Sequence, residues 1–251
     1  MSRWLLSPTT GRVWRFLLAS LAVLAGTWGG TVRANEPTAV VLDVPFRSQF
    51  DGTPWGSSNC GPAALAMVLS AFGVRQPVMS LRARADQLLG FADPEQGTRL
   101  QDLARIATES GLTVTGPYDS APKGKPTFRR WTLDDTRAQL QRGRPLVIET
   151  YYPLLPNHMT KPVDTDHYIV LVGLEGQDFV FNDPANNLWP GFRVHISAAA
   201  LTRAWGNSDF PFGGFAVGPG PDTRVLQPHV AERELPPWQA VYPYRRPPRA
   251  E

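Results

Sequence analysis

The strongest constraint on the fold is a change of hydrophobic period at Gly143. Before this residue, apolar side chains recur every three or four positions, as on one face of a helix. After it, the segments "RPLVIETYY", "DHYIVLVGL" and "GQDFVFNDP" are apolar and β-branched, which is typical of strands. A turn at Glu175-Gly176 is expected to join the last two segments as a hairpin. Helices followed by an antiparallel sheet predict an α+β domain with a helix-sheet interface.

The first predicted helix begins at the only cysteine of the chain. The segment "CGPAALAMVLSAF" starts at Cys60, with Asn59 as a candidate cap and Gly73 at its exit. Its helical period is expected to place four apolar side chains on one face, namely Leu65, Val68, Leu69 and Phe72.

Three further helices are predicted before the change of period. The segment "SLRARADQLL" is the next candidate. The segment "TRLQDLARIATESG" opens with the capping-box pattern Thr98-x-x-Gln101 and stops at Gly111. The segment "TLDDTRAQLQRG" is expected to begin near Thr132 or Asp134.

The first 34 residues are predicted to be a secretory signal peptide. Arginines precede an apolar run at 16–26, and small residues around Ala34 offer a cleavage site after it. The run is shorter than the roughly 20 residues of a membrane span, so no stable membrane insertion is expected after the signal is removed. The protein is therefore expected to be secreted, periplasmic or in the cell envelope.

Charge argues against a nucleic-acid partner. The formal net charge is +3, and the four arginines of the signal segment account for it. The remaining chain is close to neutral and has no basic stripe interleaved with aromatic residues.

The mature chain is expected to form one packed domain over residues 35–218. Because a single cysteine allows no intrachain disulfide, a hydrophobic core must stabilise it. Residues 219–251 are proline-rich and lack periodic apolar residues, so they are predicted to form a disordered tail.

Cys60 is the first candidate for chemistry. A cysteine at a helix start lies beside unsatisfied backbone N–H groups, whose partial positive charge favours the thiolate. That position predicts a nucleophile. The alternative is a small buried hydrophobic residue, which is the role of most isolated cysteines.

His167 and Asp183 are candidates for the base and for its orienting partner. His167 begins a strongly apolar strand, which is a rigid support for a general base. Asp183 ends the next strand, so the hairpin can bring its carboxylate beside the imidazole. Asn182 can orient the ring in its place. The other three histidines lie in less constrained positions, at His158, His195 and His229.

Gln49 is the candidate oxyanion donor. It lies in "VPFRSQF", before the cysteine helix, and its amide can act together with the backbone N–H of Cys60. The chain contains no Cys-x-x-Cys and no His-Glu-x-x-His, so neither a metal nor another cofactor is expected.

The segments "VPFRSQFDGTPWGSSNCGPAALAMVLSAFG", "HYIVLVGL" and "FVFNDP" resemble the papain-like cysteine peptidases. Within that family they are most similar to the bacterial branch of bacteriocin-leader-processing peptidases and their secreted stand-alone relatives. The resemblance implies Cys60 as nucleophile, His167 as base, Asp183 as third member and Gln49 as oxyanion donor. It also implies hydrolysis of peptide or amide bonds through a thioester acyl-enzyme, with a peptide or protein as substrate.

Two other functions fit the same residues. An acyl transferase, transglutaminase-like or a transpeptidase, would pass the acyl group to an amine or thiol instead of water. A binding module could keep the fold without turnover, although the intact set of four residues argues against this reading.

Overall fold

The computed structural model describes residues 39–119, 124–156, 158, 163–185 and 191–227. The predicted signal peptide lies outside the described residues, as does the tail beyond 227. Within the described part, no helix has the length and apolar character needed to cross a bilayer. The elements in chain order are β1 (Val40–Val41), α1 (Cys60–Ala71), α2 (Val78–Leu89), α3 (Leu100–Glu109), β2 (Thr113–Thr115), α4 (Leu133–Gln141), β3 (Leu146–Tyr151), β4 (Asp166–Glu175), β5 (Asp178–Asn182), β6 (Val194–Ser197), α5 (Ala198–Gly206) and β7 (Gly214–Gly218).

The strands form one antiparallel sheet in the order β2-β7-β3-β4-β5-β6, and β1 pairs with β4. Strand β4 is central, and its residues 167–174 are all buried. The predicted hairpin is confirmed, because Glu175 pairs with Asp178 and Gly176 takes a φ of +62° in the turn. Helices α1 and α3 pack on the sheet, which confirms the α+β prediction.

Helix α1 begins at Cys60 and is buried on nearly all sides, not only on the expected face. It packs against α2, α3 and the two central strands β3 and β4. Its second residue requires glycine, because a Cβ at Gly61 would collide with Oγ1 of Thr98 and lie 2.8 Å from Cδ1 of Leu103. This close approach fixes the start of the helix against its neighbours.

Capping follows the prediction in α4 and departs from it in α3. Thr132 caps α4, and it forms a capping box with Asp135. Helix α3 instead starts at Leu100 with Arg99 at the cap position, so the predicted Thr98-x-x-Gln101 box is wrong. The Thr98 hydroxyl lies buried beside Gly61 and has no hydrogen-bond partner among the described residues, so it does not cap the helix.

The sequence pattern missed α5, which interrupts the strand-rich second half. Ser197 caps this helix by accepting a hydrogen bond from the Ala200 N–H at 3.2 Å. Trp205 lies buried on its inner side and donates its indole N–H to the Gly213 carbonyl at 2.8 Å. The pattern also missed β2, a short strand at the sheet edge.

The packed chain extends past the predicted boundary at 218. Leu226 is only 5 % exposed and belongs to the hydrophobic core. Arg224 donates a hydrogen bond to the Ala71 carbonyl at the end of α1. The prediction of a tail that packs little is therefore corrected for residues 219–227, because an apolar side chain there covers part of the core.

Two truncations test this boundary. Ending the chain after Gly220 should lower the free energy of unfolding by about 2 kcal/mol, since burying one leucine contributes that much. Ending it after Gln227 should leave stability unchanged. Urea denaturation of both variants measures the difference, and equal stability of the two would show that Leu226 contributes nothing.

Candidate active site

Three strand ends and the start of α1 bring the candidate residues together. Tyr151 at the end of β3 pairs with Asp166 at the start of β4, next to His167. The β4-β5 hairpin then returns the chain so that Asp183 directly follows the end of β5. The candidate base and its partner are therefore both carried by the central part of the sheet.

His167 and Asp183 form the hydrogen bond expected from their positions. Nε2 of His167 lies 2.8 Å from Oδ1 of Asp183, and both side chains are buried. The same Oδ1 accepts a hydrogen bond from the Ala185 N–H at 2.9 Å. The imidazole is thus held by one ring nitrogen, which leaves Nδ1 for another partner.

That partner is the Cys60 thiol. Burial alone would lower the pKa of His167, but the hydrogen bond and charge of Asp183, together with the hydrogen bond and charge of Cys60, raise it to about 10. The imidazole is consequently protonated at neutral pH and lies beside the Cys60 thiol. An imidazolium in this position stabilises a thiolate.

Asp183 has the opposite shift. Burial alone would raise the pKa of this carboxyl, but hydrogen bonds from His158 and His167 outweigh burial and hold the pKa well below its usual range. The carboxylate therefore remains charged at every pH in which the protein would ordinarily be assayed.

The chain that leads to Cys60 is braced by a buried arginine. Arg82 of α2 donates to Oδ1 of Asp86 at 2.8 Å and to Oγ of Ser58 at 2.9 Å, and it also bonds the Asp93 carbonyl. Asn59 occupies the cap position of α1 but makes no side-chain cap hydrogen bond. Cys60 itself is 9 % exposed.

Gln49 lies close to the segment that precedes Cys60, and its amide N–H groups point toward the backbone of that segment. The side chain is buried, and Nε2 donates to the carbonyl of Gly56 at 2.9 Å and to that of Ser57 at 3.3 Å. Both amide N–H groups therefore bond backbone carbonyls just before Cys60. Its role as oxyanion donor remains a prediction.

Asn182 is used by the backbone and does not contact the imidazole. Its Nδ2 donates to the Val44 carbonyl at 3.0 Å, and its Oδ1 accepts from the Arg193 N–H at 2.9 Å. Of the two candidate orienting residues, Asp183 is thus the one that contacts His167.

His158 joins the site, which sequence reasoning did not foresee. Its Nε2 lies 2.6 Å from Oδ2 of Asp183, and its ring stacks on that of Tyr152 with centroids 4.2 Å apart. The loop around it has no hydrophobic period that could have predicted this contact. Of the other two histidines, His195 lies near Glu175 and His229 lies outside the described residues.

A second buried carboxyl lies on β3, which pairs with β4 on the side away from β5. Glu149 accepts a hydrogen bond from the Tyr168 hydroxyl at 2.7 Å. Burial, opposed by that hydrogen bond and reinforced by nearby Asp166, raises the pKa of Glu149 to about 7. Across the described ranges, no group of three or more His, Cys, Asp or Glu side chains is arranged to hold a metal ion.

Comparisons with known proteins agree with this arrangement of elements. The chain is similar to the crystal structure of a protein from Bacillus anthracis described as a C39-like peptidase, with 18% sequence identity and a TM-score of 0.50 over 71% of this chain and 96% of that one. This likeness confirms the predicted papain-like α+β fold. A comparison with curated proteins gives no match.

Two further solved structures have lower scores. The double glycine motif protease of an AMS/PCAT transporter, solved in complex with its leader peptide, has 20% identity and a TM-score of 0.43, over 76% of this chain and 99% of that one. The peptidase domain of Streptococcus ComA, a bi-functional ABC transporter involved in quorum sensing, has 15% identity and a TM-score of 0.38 over the same shares, 76% and 99%.

The sequence also matches one family description across the fold. The model of the Peptidase_C39 like family covers residues 41–210, which include α1, the central strands and α5. Because this match spans more than half of the chain, the protein belongs to the Peptidase_C39-like family and has the fold of its cysteine peptidases.

Proposed function

We propose that this protein is an exported cysteine peptidase that hydrolyses peptide or other amide bonds through a thioester acyl-enzyme. One observation carries the proposal: the buried His167 imidazole is held between the Asp183 carboxylate and the Cys60 thiol. Family membership supports a peptide or protein as the substrate. Export is supported by the sequence of residues 1–34.

The first half of the reaction uses the thiolate and the imidazolium together. The sulfur of Cys60 attacks the carbonyl carbon of the scissile amide, and the negative charge moves to the carbonyl oxygen. The backbone N–H of Cys60, at the positive end of α1, is a donor suited to that oxygen. When the tetrahedral intermediate collapses, His167 gives its proton to the leaving amine and the thioester remains.

The second half returns the enzyme to its starting state. His167, now neutral, removes a proton from a water molecule, and the resulting hydroxide attacks the thioester carbonyl. The thiolate leaves, and the imidazolium beside it is restored. Asp183 keeps the ring oriented through both halves and stabilises its positive charge without bonding to the substrate.

Unequal losses on substitution test these roles. Cys60→Ala and His167→Ala should each abolish measurable turnover, and the double variant should be no worse, because residues that act as one unit are not additive. Asp183→Asn should keep measurable activity, since an amide oxygen can still accept the ring N–H. The measurement is kcat/KM on a peptide found by library digestion with the parent, with circular dichroism to check folding.

Near-parent activity in a folded His167→Ala variant would contradict the assigned base. Asn182→Ala serves as the matched control, because this neighbour contacts backbone groups and not the ring. A larger loss of activity in folded Asn182→Ala than in Asp183→Asn would reverse the assignment of the orienting residue.

The rate of thiol alkylation tests the contact between Cys60 and His167 without any substrate. Because His167 carries a positive charge beside the sulfur, iodoacetamide should modify Cys60 rapidly in the folded protein at neutral pH. His167→Phe, which removes that charge, should slow the reaction at the same pH. Protection of the parent until it unfolds would instead identify Cys60 as a buried structural residue.

Measuring both turnover and alkylation of Gln49→Ala distinguishes an oxyanion donor from a structural support. Loss of a donor should lower kcat on the order of 100-fold, while iodoacetamide alkylation stays unchanged because that reaction forms no oxyanion. If the amide serves only to hold Gly56 and Ser57, alkylation and turnover should fall together. Unchanged turnover would remove Gln49 from the mechanism.

A further inference from the structure

The Asp183 carboxylate is shared by two histidines. His167 bonds Oδ1 at 2.8 Å, and His158 bonds Oδ2 at 2.6 Å. All three side chains are at most 4 % exposed. Oδ1 has a second donor in the Ala185 N–H, whereas His158 is the donor that the described residues place on Oδ2.

His158 is held in a way that fits one tautomer. Its ring stacks on Tyr152, and Tyr152 also makes an edge contact with His167 at a centroid distance of 5.2 Å. Within the described part of the chain, Nδ1 of His158 is buried and has no hydrogen-bond partner. A proton on Nδ1 would be left unsatisfied, so the proton belongs on Nε2, where it is donated to Asp183.

We infer that His158 is a positioning residue that fixes the Asp183 carboxylate for His167. The inference deepens the proposed function and rests on it. His158 does not act as the base, because its free ring nitrogen has no partner, whereas the Cys60 thiol interacts with His167. It acts through Asp183 by anchoring the oxygen that the other donors leave free.

Removing this donor has a defined electrostatic consequence. Oδ2 would become a buried anionic oxygen without a hydrogen bond, so the carboxylate would no longer be held in the orientation that faces His167. A carboxylate that turns away from the ring stabilises the His167 imidazolium less, and the Cys60 sulfur loses its charged partner in turn. Among the described residues, the ionisable groups that face His158 are Tyr152, Asp183 and His167, with Cys60 beyond the last of these.

The test uses His158→Phe and His158→Gln as a matched pair. Phenylalanine keeps a ring on Tyr152 but donates no hydrogen bond, whereas glutamine can place an N–H near the position of Nε2. His158→Phe should lower kcat about tenfold with KM nearly unchanged. Its alkylation by iodoacetamide at Cys60 should be slower than that of the parent at the same pH. His158→Gln should restore most of both.

NMR of the imidazole nitrogens in a Cys60→Ala background measures the effect of the His158–Asp183 contact without requiring turnover. His167 should lose its proton at a lower pH in His158→Phe than in the parent, and His158→Gln should recover the difference. The parent spectrum alone should show His158 protonated on Nε2 and not on Nδ1, which keeps the test decisive if His158→Phe does not fold.

The outcomes separate the two proposals. If His158→Phe shifts the His167 titration but the parent protein cleaves no peptide, the role of His158 is supported and the proposed function is contradicted. An unchanged titration and unchanged alkylation rate in His158→Phe would overturn the inference, even in an active enzyme. The inference also fails if His158→Gln is as impaired as His158→Phe, since a packing role would then explain both.

Discussion

The site depends on one buried negative charge, the Asp183 carboxylate. An ionised carboxyl inside a protein is very costly unless hydrogen bonds and positive charge compensate it. Here the compensation comes from three parts of the chain: His167 at the start of β4, His158 in the loop after β3 and the Ala185 N–H after β5. Because the hydrogen bonds and charges of the two histidines hold the pKa of Asp183 below its unfolded value, they contribute stability above about pH 4 that is lost as the pH falls through the folded value. The charge that orients the imidazole therefore also joins the segments that carry it.

Rigidity on the other side of the site comes from α1. This helix is buried almost entirely, so its first residue cannot shift without disturbing the core. Gly61 lets the helix start approach α3 and Tyr168 more closely than any side chain would allow, and Arg82 ties the preceding Ser58 to α2. The thiol and the imidazole are thus each fixed by regular elements, which hold side chains more accurately than loops do.

Local sequence pattern was sufficient wherever neighbours along the chain decide the structure. The change of period at Gly143, the turn at Gly176 and the helix start at Cys60 all express such local preferences, and the spacing of His167 and Asp183 across one hairpin followed from them. The missed features depend on distant contacts. His158 is 25 positions from Asp183 in a segment without periodicity, and Leu226 becomes core only because the folded domain leaves a place for it. Helix α5 was missed because its short amphipathic pattern lies between two strands.

Two buried carboxyls near β4 differ in charge because their surroundings shift their pKa values in opposite directions. Successive side chains of a strand point to opposite faces of the sheet. His167 and Tyr168 of β4 therefore contact different acids, Asp183 and Glu149. Asp183 receives several N–H donors and stays ionised, whereas Glu149, buried beside the Tyr168 hydroxyl and the nearby Asp166, has its pKa raised to about 7 and holds its proton in part at neutral pH. Two acids whose pKa values shift in opposite directions can take different chemical roles. The groups that raise the pKa of His167 are accordingly Asp183 and Cys60, so the proton on the imidazole depends on both of these side chains.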